Sequence, residues 1–223
     1  MPLNFDKTPF GAVIFIVVVV LSATANYVAN SFLDVILAEM SYRASANGLD
    51  PLRASNFKIR IASNNFLNHD LEVVFNFGQI RGLSGIARKG NCSYSKCHNQ
   101  MSLACNLTFA SVKINMTDVD VFGDTLSSKK HSIRTLTSVD QHGTHVAVEM
   151  DGPLFGTPNK PLIIVKQMSL KTYVYGGKLH LNHRRYEDFR NKTNQEMYSQ
   201  LLAAINAPYI SLLKRVLMRH HLP

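Results

Sequence analysis

The chain reads as an α+β fold: a long, strongly coiled antiparallel sheet wrapped around a long C-terminal helix, with an amphipathic helix on the N-terminal side. Three observations predict it. Apolar residues recur near every 3.6 positions from Met197 to Leu217 and again from Val28 to Met40. Between them, from Asn56 to Asn182, apolar residues alternate with polar ones and are punctuated by glycine and proline turns. The order of helix, run of strands, helix is that of an antiparallel sheet with its helices segregated to one face.

At the N-terminus, Phe10 to Leu21 is an uninterrupted apolar run, followed by Ala23-Thr24-Ala25. The small-x-small form is that of a signal-peptidase site, so residues 1–25 read as a signal peptide cleaved before Asn26. About a dozen apolar residues fall short of the roughly 20 that span a bilayer. The remaining residues, 26–223, suffice for one domain with a large core.

Secretion is also the reading of four N-x-S/T sequons, which predict glycans at Asn91, Asn106, Asn115 and Asn191. Three cysteines, Cys92, Cys97 and Cys105, lie within one short segment. That pattern predicts one local disulfide and an odd thiol in an oxidising, extracellular setting. The net charge is +9, yet no Lys/Arg run exceeds two residues. A solvated basic surface is therefore expected rather than a nucleic-acid tract.

The elements follow in order. Asn26 to Ala44 carries Val28, Phe32, Val35, Ile36, Ala38 and Met40 at helical spacing, and Gly48-Leu49-Asp50-Pro51 ends that helix. Leu71, Val73, Phe75 and Phe77 alternate against Glu72 and Asn76 as a strand with one buried face. Gly78, Gly82 and Gly85 then interrupt an extended run to Lys89, which predicts bulges or sharp coiling. Pairing Cys92 with Cys105 puts a bridge symmetrically across a hairpin tipped at about Lys96 to Gln100; pairing Cys97 with Cys105 is the rival.

From Leu103 to Val119 the outward positions change parity. Asn106 and Thr108 face out in the first half, Lys113, Asn115 and Thr117 in the second. One extra residue near Ala110-Ser111, a bulge, reconciles the halves. A hairpin is expected around Gln141-His142-Gly143, and Leu162 to Tyr175 forms a late strand with Leu162, Ile164, Met168 and Leu170 on one face. Gly176-Gly177 reads as a two-residue hairpin turn into Leu179 and Leu181. Thr193-Asn194-Gln195-Glu196 has the form of a capping box and predicts a C-terminal helix from Asn194. Pro208 predicts a kink or short break within it.

Chemistry-bearing motifs are sparse. His142 with His145, and His180 with His183, have pair spacing for a metal but lack a third ligand nearby in sequence. The sequence holds no G-x-S-x-G, H-E-x-x-H or phosphate loop. No catalytic residue, metal or cofactor is expected, although a dispersed Ser/His/acid cluster would leave no mark in sequence.

The run Leu71 to Gly90, with Gly82-Leu83-Ser84 and Ile86-Ala87-Arg88-Lys89-Gly90, resembles the strand motif of group 7 mite allergens and of takeout and juvenile-hormone-binding proteins. The resemblance implies a tubular lipid-binding fold and a secreted, non-enzymatic carrier of a small hydrophobic molecule. It departs from the hormone-binding members in lacking paired cysteines near the mature N-terminus.

The ligand set is read from the inward pattern instead. It comprises Phe66, Val73, Phe75, Phe77, Phe109, Ile114, Val148, Ile164 and Met168 from the sheet, and Met197, Leu201, Ile205, Tyr209 and Leu212 from the helix. They are expected to line a cavity between the two layers, a filled core being the alternative arrangement. A second function reading has the protein engage anionic lipid surfaces or another protein through Arg184, Arg185, Lys214, Arg215 and Arg219.

Overall fold

The computed structural model describes residues 10–63, 69–125, 129–159 and 161–223, with side chains from Asn26 onward. Among them, nine strands join in one sheet, every pairing antiparallel. Its spine is β8 (His131–Pro153). On one flank β8 carries β7 (Lys113–Phe122) along its first half and β6 (Gln100–Thr108) along its second. On the other flank lies β9 (Leu162–Gly176). Outside β7 comes β3 (Leu71–Arg81), edged by β1 (Leu52–Arg53) and β2 (Phe57–Ile61). Outside β6 come β4 (Ala87–Arg88) and β5 (Ser93–Cys97).

The long rows share a crease. Burial follows odd positions up to Phe109 and even ones from Val112 to Met116, with Ala110 exposed and Ser111 half-buried between them. The expected parity change is therefore present, as a full break between β6 and β7 rather than a one-residue bulge. In β8 the same exchange occurs between Val139 and Thr144, and in β9 between Ile163 and Met168. Beside the β6–β7 break lies the 3-10 turn Leu83–Gly85, entered by Gly82 at φ 85°. A Cβ on Gly82 would stand 2.0 Å from the Ser111 carbonyl oxygen, so only glycine lets the two rows approach here. Interruptions aligned across neighbouring strands let a sheet bend sharply, and this one coils around its helices.

Two expectations for the strands do not hold. Gln141-His142-Gly143 is not a hairpin turn, because β8 runs straight through it. The extra residues between Asp140 and His145 swell out as an irregularity against Ser169 and Gln167 of β9. Gly143 serves close packing, since a Cβ there would lie 2.8 Å from that of Ser169. Leu162 and Ile164 do not share the inward face of Met168 and Leu170; the β9 irregularity turns Ile163 inward instead.

The helices cover the concave side. α1 (Phe10–Ala46) runs unbroken through Ala25 and Asn26 and buries Ala29, Leu33, Ile36, Leu37, Met40 and Ala44. The C-terminal helix begins eleven residues before the expected start: α2 spans His183–Ala204, and the Asn182 side chain accepts from the Arg185 amide at 3.0 Å. Thr193 is an interior helical residue, fully buried, and caps nothing. Asn182 has the side chain a cap needs and stands directly before the helix, so the apparent box downstream is coincidental.

At Pro208 the helix does not break. It widens into one π turn, Ile205–Tyr209, in which the Ile210 amide reaches the Ile205 carbonyl, and continues as α3 (Ile210–Leu217). A wide turn accommodates proline, which has no N–H to give and crowds the carbonyl four residues back. The stripe Met197, Leu201, Ile205, Tyr209, Leu212, Val216 and Leu217 stays buried throughout. At about 1.5–3 kcal/mol per buried side chain, it contributes more than about 10 kcal/mol.

Candidate functional site

Along the sheet edge, β1 and β2 do not join. Ala54 still donates to the Gly78 carbonyl at 3.0 Å, but Ser55 and Asn56 leave the ladder. Gln200 of α2 fills the gap. Its amide oxygen accepts from the Ser55 N–H at 2.9 Å and its amide nitrogen donates to the Ser55 carbonyl at 3.0 Å. A side chain 145 positions away thus completes the interrupted edge.

Above this bridge opens a cleft of about 380 Å³ between sheet edge and C-terminal helix. Leu52 and Ile80 come from the paired strands β1 and β3, and Ala203, Ala204 and Pro208 from the end of α2 and the π turn. The small alanines and the proline ring leave room that larger residues would fill. Arg53, Ser55, Ser199 and Gln200 supply a polar rim. A mostly apolar concavity with a few placed polar groups is the usual form of a small-molecule site.

The rim is held in place from below. Asp50, two residues before β1, accepts from the Gly82 amide at 2.9 Å, from the Ser84 amide at 2.9 Å and from the Ser84 hydroxyl. Burial pushes its carboxyl up, but those hydrogen bonds outweigh it and hold the group below the usual carboxylate range.

The residues read from sequence as ligand-lining lie mostly behind the cleft. Val73, Phe75, Phe109, Ile114, Val148, Met168, Met197, Leu201, Ile205, Tyr209 and Leu212 are buried in one continuous core. Ile164 is half-buried, and Phe66 lies outside the described residues. Phe77, expected inward, is 42% exposed, because bulges on either side of it turn Gly78 and Ile80 in instead. Arg53 covers its ring at 5.9 Å. The ligand set read from sequence comes from the sheet and the C-terminal helix, the two layers that border the cleft, and includes none of the residues that line it. Small and polar helix residues carry no hydrophobic period; the one available signal was Pro208 inside a helical pattern.

Other candidates are more dispersed. Cys92 and Cys105 form the disulfide, Cα atoms 4.3 Å apart, across a hairpin whose turn is His98-Asn99. Cys97 is free and exposed, its sulfur 3.2 Å from Nδ1 of His98. Asn91, Asn106 and Asn191 are exposed, while Asn115 is half-buried and accepts from the Tyr175 hydroxyl at 2.8 Å. Arg185 is not part of a basic surface: it is buried and donates to the His69 carbonyl at 2.7 Å. Among the described residues, no three His, Cys, Asp or Glu side chains gather to hold a metal ion, and no helix is long and apolar enough to cross a membrane.

No family model and no curated protein matches the chain. Among solved structures, a crystal structure of lipopolysaccharide binding protein is similar over 85% of this chain and 40% of its own, at 15% identity and a TM-score of 0.38. The chain therefore spans about two-fifths of that structure's length.

Proposed function

We propose that the protein is a secreted, glycosylated, non-enzymatic binder of a small hydrophobic, lipid-like molecule. The reading puts the ligand in the cleft between β1, β3 and the end of α2, with the packed residues Met197, Leu201, Ile205, Tyr209 and Leu212 as the helix wall behind it. The observation that carries it is the cleft's build: an apolar floor of adequate volume where the sheet edge meets a helix widened at Pro208. An acyl chain burying about eight methylenes would gain roughly 6 kcal/mol. Association subtracts several, which leaves weak, exchangeable binding suited to a carrier.

Native mass spectrometry of protein purified without detergent, together with displacement of a fluorescent fatty-acid probe, tests the reading. Co-purifying lipid and saturable displacement are expected. Bare protein that displaces nothing would refute it. The same preparation, expressed through a secretory pathway, checks cleavage before Asn26 and sugar at Asn91, Asn106, Asn115 and Asn191.

A second reading, contact with an anionic lipid surface, is favoured by one observation. On α1, Val28, Val35 and Tyr42 stand exposed at seven-residue spacing, and α3, which packs beside α1, carries exposed Lys214 and Arg215 and is followed by exposed Met218 and Arg219. Attachment to anionic vesicles that weakens steeply with salt would support it.

A further inference from the structure

The convex side of the sheet carries exposed rings that take no part in the cleft. Tyr173 and Tyr175 of β9 are half exposed there. Apolar surface gathered in one place marks a contact. The strand registers set Gln79, Asn115, Leu136 and Tyr173 side by side across β3, β7, β8 and β9, and residues directly opposite one another share a face. The adjacent row, Ile80, Ile114, Thr137 and Thr172, is buried on the concave side, so this one faces out. Tyr175 sends its hydroxyl across β8 to Oδ1 of Asn115 at 2.8 Å, and the Arg134 guanidinium lies 6.0 Å from its ring. Asn115 opens the sequon Asn115-Met116-Thr117. Among the described residues its amide nitrogen has no hydrogen-bond partner, and none of the other three sequon asparagines is bonded to an aromatic side chain.

From this placement we infer that the N-linked glycan of Asn115 lies down on the convex face, its first N-acetylglucosamine packed against Tyr175, Leu136 and Tyr173. The inference rests on the secreted, glycosylated part of the reading above and adds what the sugar touches. The donor class is a lipid-diphosphate-linked oligosaccharide of the secretory pathway. Nδ2 bonds to C1 of the first sugar, the C1–O bond to the diphosphate breaks, and the lipid diphosphate leaves as one Nδ2 proton is lost. Oδ1 is untouched, so the Tyr175 hydroxyl goes on donating to it. A secondary amide is trans, which sets C1 on the Oδ1 side of the new bond and starts the sugar beside that hydroxyl. A face that mixes rings with amide and guanidinium donors suits a sugar, whose C–H groups pack on the rings while its hydroxyls accept from Gln79 and Arg134. Holding the Asn115 amide in advance lowers the cost of ordering the first sugar.

Wild type, Thr117→Val, Tyr175→Ser and the double variant are made twice, by secretion from a glycosylating cell line and in the bacterial periplasm without sugar, and compared by peptide mapping and thermal melts. Mapping is expected to find sugar at Asn115 in secreted wild type and Tyr175→Ser and none after Thr117→Val. Among the secreted proteins, Thr117→Val is expected to lower Tm by about 2–4 °C in the wild-type background and to leave it within about 1 °C beside Tyr175→Ser. The sugar-free proteins should show no such difference, and trimming wild type to the first N-acetylglucosamine should keep the effect. A smaller loss of the same sign is expected from Tyr173→Ser, which keeps the test in force should Tyr175→Ser not fold. An effect of Thr117→Val that is absent, or equal in both backgrounds, would overturn the packing. Sugar at the other sequons with Asn115 bare would overturn this inference alone. A chain bare at all four would overturn it together with the glycoprotein reading, while displacement of the fatty-acid probe reports separately on the cleft.

Discussion

Replacing Asp50 with Asn tests how the crease and the rim of the cleft are held. The carboxylate receives two backbone amides and one hydroxyl, from Gly82 and Ser84, and a neutral amide oxygen cannot accept them all. Hydrogen bonds to charged groups are worth about 1.5–3 kcal/mol each when buried, and Asp50 is only partly so. A net loss of about 1–2 kcal/mol at pH 7 is expected. For a domain of this size that lowers Tm by roughly 2–8 °C.

The pH dependence gives the experiment its force. The folded carboxyl titrates below its unfolded value of about 3.9, so its contribution is complete well above that pH and disappears as pH falls through the folded pKa. Melting curves followed by circular dichroism between pH 7 and pH 3 should show wild type and Asp50→Asn converging. A gap that is absent at pH 7, or constant down to pH 3, would refute the idea that this carboxylate clamps the crease.

Gln200→Ala removes both bonds to Ser55; about 1–2 kcal/mol is expected to go from urea denaturation, with a severalfold loss of probe affinity as the cleft wall loosens. Replacing Cys92 and Cys105 together with Ser should cost about 3 kcal/mol, and adding reductant to wild type should reproduce the loss without affecting the variant. Leu201→Ala, at a fully buried helix position, should cost about 2–5 kcal/mol, read from the shift in urea midpoint at unchanged slope.

Much of the fold was legible because its signals are local and periodic. The helical stripe from Met197 to Leu217, the parity change at Ala110-Ser111 and the Cys92–Cys105 hairpin each depend on spacing alone. What misled was chemistry with two uses. Gly143 resembles a turn glycine, yet it is there for close approach to Ser169; Thr193 resembles a helix cap, yet it lies buried ten residues into the helix that Asn182 starts. The cleft depends on which strand stops early and which helix residues are small, and both acquire meaning only once a long-range pairing such as Gln200 with Ser55 exists.

A hydrophobic ligand seated where the sheet edge meets the C-terminal helix would touch Leu52, Ile80, Ala203 and Ala204. Methyl NMR during a titration with dodecanol tests it most directly. Saturable shifts that begin at the methyls of these four residues are expected. Shifts confined to interior methyls such as Val73, Val148 and Met168, or no shift at any methyl, would contradict it.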